Sequence, residues 1–258
     1  MVRVILSGAD GRMGHVIADL AAADADVEIA AGVDIAGKGS GSFPVYKSFT
    51  ELEDNLQEHA DAIIDFSSPK AFDGLMDYAV KTKTPVVVCT TGLSDEQIER
   101  LKKDSRKTAV LRSANMSVGI NLLLKIVKEA AKTLAPAGFD IEIVEAHHNQ
   151  KKDAPSGTAL ALADSINDGL DDAYTYTYDR SDRREKRDPK EIGISAVRGG
   201  NIVGEHEVIF AGTDEVIEFK HTAYSKAVFG KGAVQAAKFL AGKPAGRYDM
   251  HDVIEANA

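Results

Sequence analysis

The sequence predicts an α/β protein: a doubly wound parallel sheet joined to a smaller α+β domain with a mixed or antiparallel sheet. Three observations lead there. Short apolar runs alternate with helical patterns through the first half, the rhythm of strands joined by crossover helices. A glycine turn closes the first strand and opens the first helix. From Asp140 the rhythm changes to successive strands with one helix among them, which marks a second domain.

Val2–Leu6 reads as a buried strand and is followed at once by "GADGRMG", with glycines at 8, 11 and 14. Met13, Val16, Ile17 and Leu20 then recur at helical spacing. Glycine lets the backbone turn tightly and approach a pyrophosphate, whose charge then sits on the helix N-terminus. Gly8, Ala9, Asp10, Gly11, Arg12 and Met13 are therefore candidate cofactor contacts, although the spacing is GxxGxxG, a variant of the usual GxGxxG. Val27, Ile29, Ala31 and Val33 alternate as a second strand, with Asp34 at its end, about 20 residues beyond Gly14. A carboxylate there would accept hydrogen bonds from the adenosine ribose of NAD. The first domain is thus Rossmann-like.

The alternation continues with a strand at Ala62–Phe66 and a helix at Pro69–Val80, capped by Ser68 with proline in its first position. Pro85–Cys89 is a further strand, and helix 95–103 opens with Ser94 and Gln97 spaced as a capping box. Ala109–Leu111 precedes a strongly apolar helix, Val118–Leu134. Ligands of such sheets bind beyond the carboxyl ends of the strands. That rule adds Phe66–Ser67, Thr90, Thr91 and Gly92, and then Ser113, Ala114, Asn115 and Met116, to the candidate cofactor segments.

In the second half "DIEIVEA" alternates as a strand and "TALALADSINDGL" as a helix. Residues 192–198, 202–210 and 215–222 read as strands, with Gly199 and Gly200 turning between the first two. "DRSDRREKRDPKE" reads as an exposed, solvated loop. Gly232–Leu240 looks helical and the tail to Ala258 irregular. The domains expected are 1–117, rejoined by 228–258, for the dinucleotide, and 118–227 for substrate and assembly.

The chemistry concentrates in "EAHHNQKKDAPSGTA", Glu145–Ala159. His147 and His148 leave a strand end with side chains on opposite faces, so they should do different work. Lys151 is placed to protonate a substrate or to hold a carboxylate. Past Pro155, "SGT" opens a helix whose amides and the Ser156 and Thr158 hydroxyls suit an anion. No further His or Cys group has metal-ligand spacing, so no metal site is expected.

A net charge of −9 argues against a nucleic-acid or anionic-membrane partner, and no apolar run approaches a membrane span. The lone cysteine and the absence of a signal-like apolar region point to the cytoplasm.

"GADGRMG", "IDFSSP", "TTGLS", "ANMSVGINLLLK", "DIEIVEAHHNQKKDAPSGTALALA" and "VRGGNIVGEHEVIFAG" resemble segments of the 4-hydroxy-tetrahydrodipicolinate reductase family across nearly the whole chain. The resemblance implies reduction of a small cyclic dicarboxylate, made from aspartate semialdehyde and pyruvate, by NADH or NADPH in the diaminopimelate route to lysine. It also implies a homotetramer built through the C-terminal sheets. By the same resemblance His147 is the catalytic proton donor and acceptor, and Lys151 the catalytic proton donor. His148, Ser156, Gly157, Thr158 and Thr91 would bind substrate, and the segments above, together with Cys89, the cofactor. Two departures bear on the cofactor. Cys89 stands where many members carry glycine, and Ile35 where some carry an arginine suited to a 2′-phosphate, a role left to Arg12. The rival readings are another dehydrogenase on the same nucleotide fold, or a nucleotide sensor without turnover.

Overall fold

The computed structural model describes residues 1–39, 42–56, 58–181 and 183–256. Two compact units result: Met1–Ser117 with the segment from Ala227 onward, and Val118–Lys226. Asp182 of the charged loop and positions 257 and 258 of the tail lie outside the described residues.

The first unit contains β1 (Val2–Ser7), α1 (Arg12–Ala22), β2 (Val27–Val33), β3 (Val45–Tyr46), α2 (Phe49–Asn55) and β4 (Ala62–Asp65). Then come α3 (Phe72–Thr82), β5 (Val86–Val88), α4 (Asp95–Asp104) and β6 (Ala109–Leu111). The strands form one parallel sheet in the order β12-β6-β5-β4-β1-β2-β3, whose edge strand β12 (Gly246–Tyr248) comes from the returning C-terminal segment. Crossing from β1 to β2 on one side and to β4 on the other makes the sheet doubly wound. Ile63, Phe72, Leu75, Met76 and Val86 are almost wholly buried in its core. Each contributes roughly 1.5–3 kcal/mol relative to an exposed side chain.

Several local expectations are corrected. The segment after Ser68 begins as a 3-10 turn, Pro69–Ala71, before α3 takes over, and the Ser68 side chain makes no capping bond. Neither the short β3–α2 pair nor α8 (Met250–Glu255) in the supposedly irregular tail was marked by the apolar pattern. By contrast the Ser94–Gln97 capping box forms in full.

The second unit holds α5 (Val118–Leu134), β7 (Asp140–His147), α6 (Gly157–Asp168), β8 (Thr175–Tyr178), β9 (Glu191–Arg198), β10 (Gly204–Ala211) and β11 (Val216–Ala223). Its mixed sheet runs β11-β10-β7-β9-β8. Gly199 and Gly200 do not close a hairpin, because β7 lies between β9 and β10, parallel to the first and antiparallel to the second. The turn carries the chain past a strand already in place. Ile141 and Ile143 of β7 pack with Leu124 and Val127 of α5 and Leu162 and Ile166 of α6.

Nor is the charged loop only solvated. Arg187 bonds Asp140, Glu142 and the carbonyls of Ile141 and Glu191, and Arg180 pairs with Glu142 and the buried Glu191. Charge patterning reports polarity, not which arginines find buried acids.

Finally α7 (Ala227–Leu240) packs on α1 and on the sheet of the first unit.

Candidate active site and cofactor cradle

In the first unit the β1–α1 turn is shaped by side chains that are not there. Gly8 has φ +83, and a Cβ on Gly14 would lie 2.3 Å from the carbonyl oxygens of both Gly8 and Ala9. Gly11 is the N-cap of α1 and supplies no side-chain cap, so the first-turn amides at Arg12 and Met13 find no acceptor in the helix itself. Such a turn can receive a phosphate. Asp34, at the end of β2, accepts hydrogen bonds from the Asp10 amide at 3.1 Å and the Ala36 amide at 3.0 Å. The Asp10 carboxylate in turn accepts from Lys38 N at 2.8 Å, so the two loops that would flank a ribose are tied together.

Cys89, Thr90, Thr91, Ser113, Ala114 and Asn115 help to line one cavity of about 330 Å3, which also reaches Met116. The structure thus brings together two segments separate in sequence. Not all their side chains face a ligand: Ser113 Oγ accepts from the Met250 amide at 2.8 Å, and Asn115 Oδ1 from Ser117 N at 2.8 Å. Burial pushes the Cys89 thiol well up, with a further push from Asp65, so it is a neutral thiol at pH 7. The glycine turn, the acid at the end of β2 and this cavity fit a nicotinamide dinucleotide.

The second unit gathers buried titratable side chains. Alternation along β7 puts Ile141, Ile143, Glu145 and His147 on one inward face, apolar at one end and polar at the other. His147 is buried and His148 only half-buried, as their opposite directions require. His147 Nδ1 lies 2.6 Å from Glu145 Oε2. Burial lowers the His147 pKa below its ordinary value, against the pull of Glu145. Lys151 Nζ pairs with Asp153 at 2.9 Å, leaving further ammonium hydrogens for another acceptor.

Ser156 is the N-cap of α6, its hydroxyl accepting from Ala159 N at 3.1 Å and lying 3.0 Å from His206 Nε2. Its own amide donates to Glu145 Oε1 at 3.0 Å. Ser156 therefore builds the turn, while Gly157 and Thr158 occupy the first helical positions.

Three residues here escaped the sequence reading: Glu145, Arg198 and His206. Arg198 grips the Glu145 carboxylate through two nitrogens, at 2.8 and 2.7 Å, and donates to the carbonyl of Asp153 at 2.6 Å. His206 opposes Glu145 across β7–β10, and burial holds its pKa down to about 3. The signal available was the inward register of Glu145 on an otherwise apolar strand face. A carboxylate there requires partners, though the sequence does not say which.

A glycine turn suited to a dinucleotide in one unit and buried titratable side chains beside a helix N-terminus in the other are the features of a nicotinamide-dependent oxidoreductase. Family models for the N- and C-terminal parts of dihydrodipicolinate reductase match residues 2–116 and 119–254. The chain belongs to the dihydrodipicolinate reductase family. It is 52% identical over 255 residues, 99% of both chains, to the 4-hydroxy-tetrahydrodipicolinate reductase of Caldanaerobacter subterraneus. To the reductase of that name from Clostridium novyi it is 46% identical over 255 residues, again 99% of both. Among solved structures, a dipicolinate-bound dihydrodipicolinate reductase from a Paenisporosarcina species superposes with TM-score 0.80 at 23% identity, covering 98% of this chain and 99% of that one. A Lactobacillus casei myo-inositol dehydrogenase with NAD(H) and myo-inositol gives 0.60 at 16%, covering 98% and 90%. These two likenesses concern the fold. As the second shows, the fold is shared with a myo-inositol dehydrogenase, so the choice among oxidoreductases rests on family membership.

Proposed function

We propose that this chain reduces 4-hydroxy-tetrahydrodipicolinate to tetrahydrodipicolinate in the diaminopimelate route to lysine, as a cytoplasmic homotetramer. The observation that carries the reading is the convergence of His147, Lys151 and the first turn of α6 within one loop of a family member. A bound nicotinamide supplies hydride to one ring carbon. The chain's own groups do the rest. Lys151 Nζ donates a proton to the neighbouring carbon, and His147 takes or returns a proton as the hydroxyl leaves as water. The Gly157 and Thr158 amides and the Thr158 hydroxyl hold one carboxylate, aided by the helix dipole. His148, with Lys151, holds the other, and Thr91 supplies a further polar contact. Two anchored carboxylates fix the ring in one orientation.

Gly8, Ala9, Asp10, Gly11, Arg12, Met13 and Asp34 bind the dinucleotide, with Cys89, Thr90, Thr91, Ser113, Ala114, Asn115 and Met116 around the nicotinamide end. Asp34 favours NADH, since its carboxylate bonds ribose hydroxyls and repels a 2′-phosphate. Arg12 is the cation available to NADPH.

The test is oxidation of NADH and NADPH followed with substrate made in place from aspartate semialdehyde and pyruvate. Turnover is expected with both cofactors, kcat/KM being higher for NADH, and pyridine-2,6-dicarboxylate should compete with substrate. No turnover with either cofactor refutes the reading.

A further inference from the structure

We infer that Glu145 is a positioning residue: its buried carboxylate holds the His147 ring with the hydrogen on Nδ1, leaving Nε2 as the atom that exchanges protons, and locks that ring to the turn opening α6. The inference rests on the proposed role of His147 as proton carrier.

Glu145 has no solvent exposure, yet each of its carboxylate oxygens accepts two hydrogen bonds. Oε1 takes the Ser156 amide at 3.0 Å and one Arg198 nitrogen at 2.7 Å, and Oε2 takes His147 Nδ1 at 2.6 Å and the other Arg198 nitrogen at 2.8 Å. Burial alone would push this carboxyl up, but Arg198, His147 and the Ser156 amide together outweigh it and leave the pKa below its ordinary value. At neutral pH Glu145 is therefore ionised, and an ionised carboxylate only accepts. The hydrogen in the contact with His147 belongs to Nδ1. Since burial favours the neutral ring, Nε2 then carries the lone pair.

The surroundings of Nε2 agree. A Cβ at position 204 would stand 3.1 Å from Nε2 and 3.5 Å from Cδ2, so glycine at the start of β10 keeps a side chain off that edge. Four charged or titratable groups face the ring: Glu145 on its own strand, Arg198 from β9, His206 from β10 and Lys151 from the following loop. His206 stands edge-on, with ring centroids 5.1 Å apart, and is neutral. Arg198 and Lys151 oppose a charged imidazole, and Glu145 alone favours it. One carboxylate thus fixes the tautomer, sets the ease of protonation and joins proton carrier to anion turn.

The direct test needs no substitution. In nitrogen-15 spectra of the wild-type protein with labelled histidine, neutral His147 should show a protonated Nδ1 and an unprotonated Nε2. The reverse pattern overturns the inference. Glu145→Gln, which keeps the shape and removes the charge, should lower kcat by about tenfold to a hundredfold with NADH binding unchanged. The limb of the kcat/KM profile that reports His147 should move to lower pH, and Glu145→Asp should restore it. An unmoved limb in Glu145→Gln, with only a lower melting temperature, makes the residue merely structural and refutes the inference. If Glu145→Gln does not fold, the wild-type nitrogen spectrum decides. If wild-type protein fails to turn over the dicarboxylate, the proposed function falls, while the spectrum still judges Glu145.

Discussion

The two candidate sites are built on opposite principles. Around the β1–α1 turn, binding capacity comes from missing atoms: glycines bring backbone amides to a surface where a phosphate can reach them. Around β7 and the start of α6 it comes from charges taken out of water, with Glu145 at no exposure and Arg198, His147 and Ser156 committed to it. The first design tolerates solvent and changes little with pH. The second is sensitive to any lost partner, because a buried charge left alone costs far more than the pair contributed.

The largest effect expected separates the two. Lys151→Ala should lower kcat by about a hundredfold to ten-thousandfold, as removal of a general acid does, while NADH affinity stays within error of wild type. Steady-state kinetics and a fluorescence titration of NADH measure the two halves. Near-native kcat would remove Lys151 from proton transfer, and a matching loss of NADH affinity would erase the division of labour.

The converse substitution is Gly14→Ala. Its Cβ would meet two carbonyl oxygens at 2.3 Å, and the β1–α1 turn must shift to admit it. Strain of that kind costs roughly 1–3 kcal/mol and should displace the turn from its phosphate-binding shape. A lowered melting temperature with NADH binding abolished is expected. Undiminished NADH binding would mean that the turn is not the cradle.

A smaller effect follows from His206. Its folded pKa is about 3, whereas an unfolded imidazole titrates near 6.5. Between those values the unfolded chain binds the extra proton, so stability falls as pH falls. The slope is about 1.4 kcal/mol per pH unit from this residue. Glu145, whose folded pKa is also depressed, adds a further loss at lower pH, where unfolded carboxylates protonate. Urea midpoints for wild type and His206→Asn from about pH 7 down to about pH 5 should converge on acidification. Parallel curves would show that His206 is not held neutral by the fold.

The fold class was legible because it rests on local periodicities. Val2–Leu6 followed by glycines, and the alternation ending at Asp34, announce a nucleotide-binding sheet without tertiary information. The capping box at Ser94 is equally local, its partner Gln97 lying three residues away. What escaped was non-local. Gly199–Gly200 looks like a hairpin turn, and only knowing that β7 is already beside β9 rules that out. The half-buried arginines of the charged loop depend on Glu142, which lies on another strand, and on Glu191, whose burial the loop's own sequence does not reveal. In the candidate site, His147, His148, Lys151 and the Ser156 turn stand out because they are unusual types close together. Glu145 was hidden by being one acid among many, and Arg198 and His206 by lying on other strands.

The position of β7 at the centre of its sheet also governs when the site comes into being. Ile141 pairs with Ile192, and Asp140 with Ala211, so the strand that bears His147 has no neighbour until distant chain has been made. Long loops must close before those pairings return any free energy, which makes such sheets slow to form. The helices on either side, α5 and α6, can coil while the chain is still growing, but the ion pair between Glu145 and Arg198 cannot exist before β9 docks. Until then both charges remain in water, at no desolvation cost. The cluster around Glu145 is therefore completed only late in the assembly of this unit, and a nascent chain stopped short of residue 198 carries Glu145 and His147 without the arginine that grips the carboxylate.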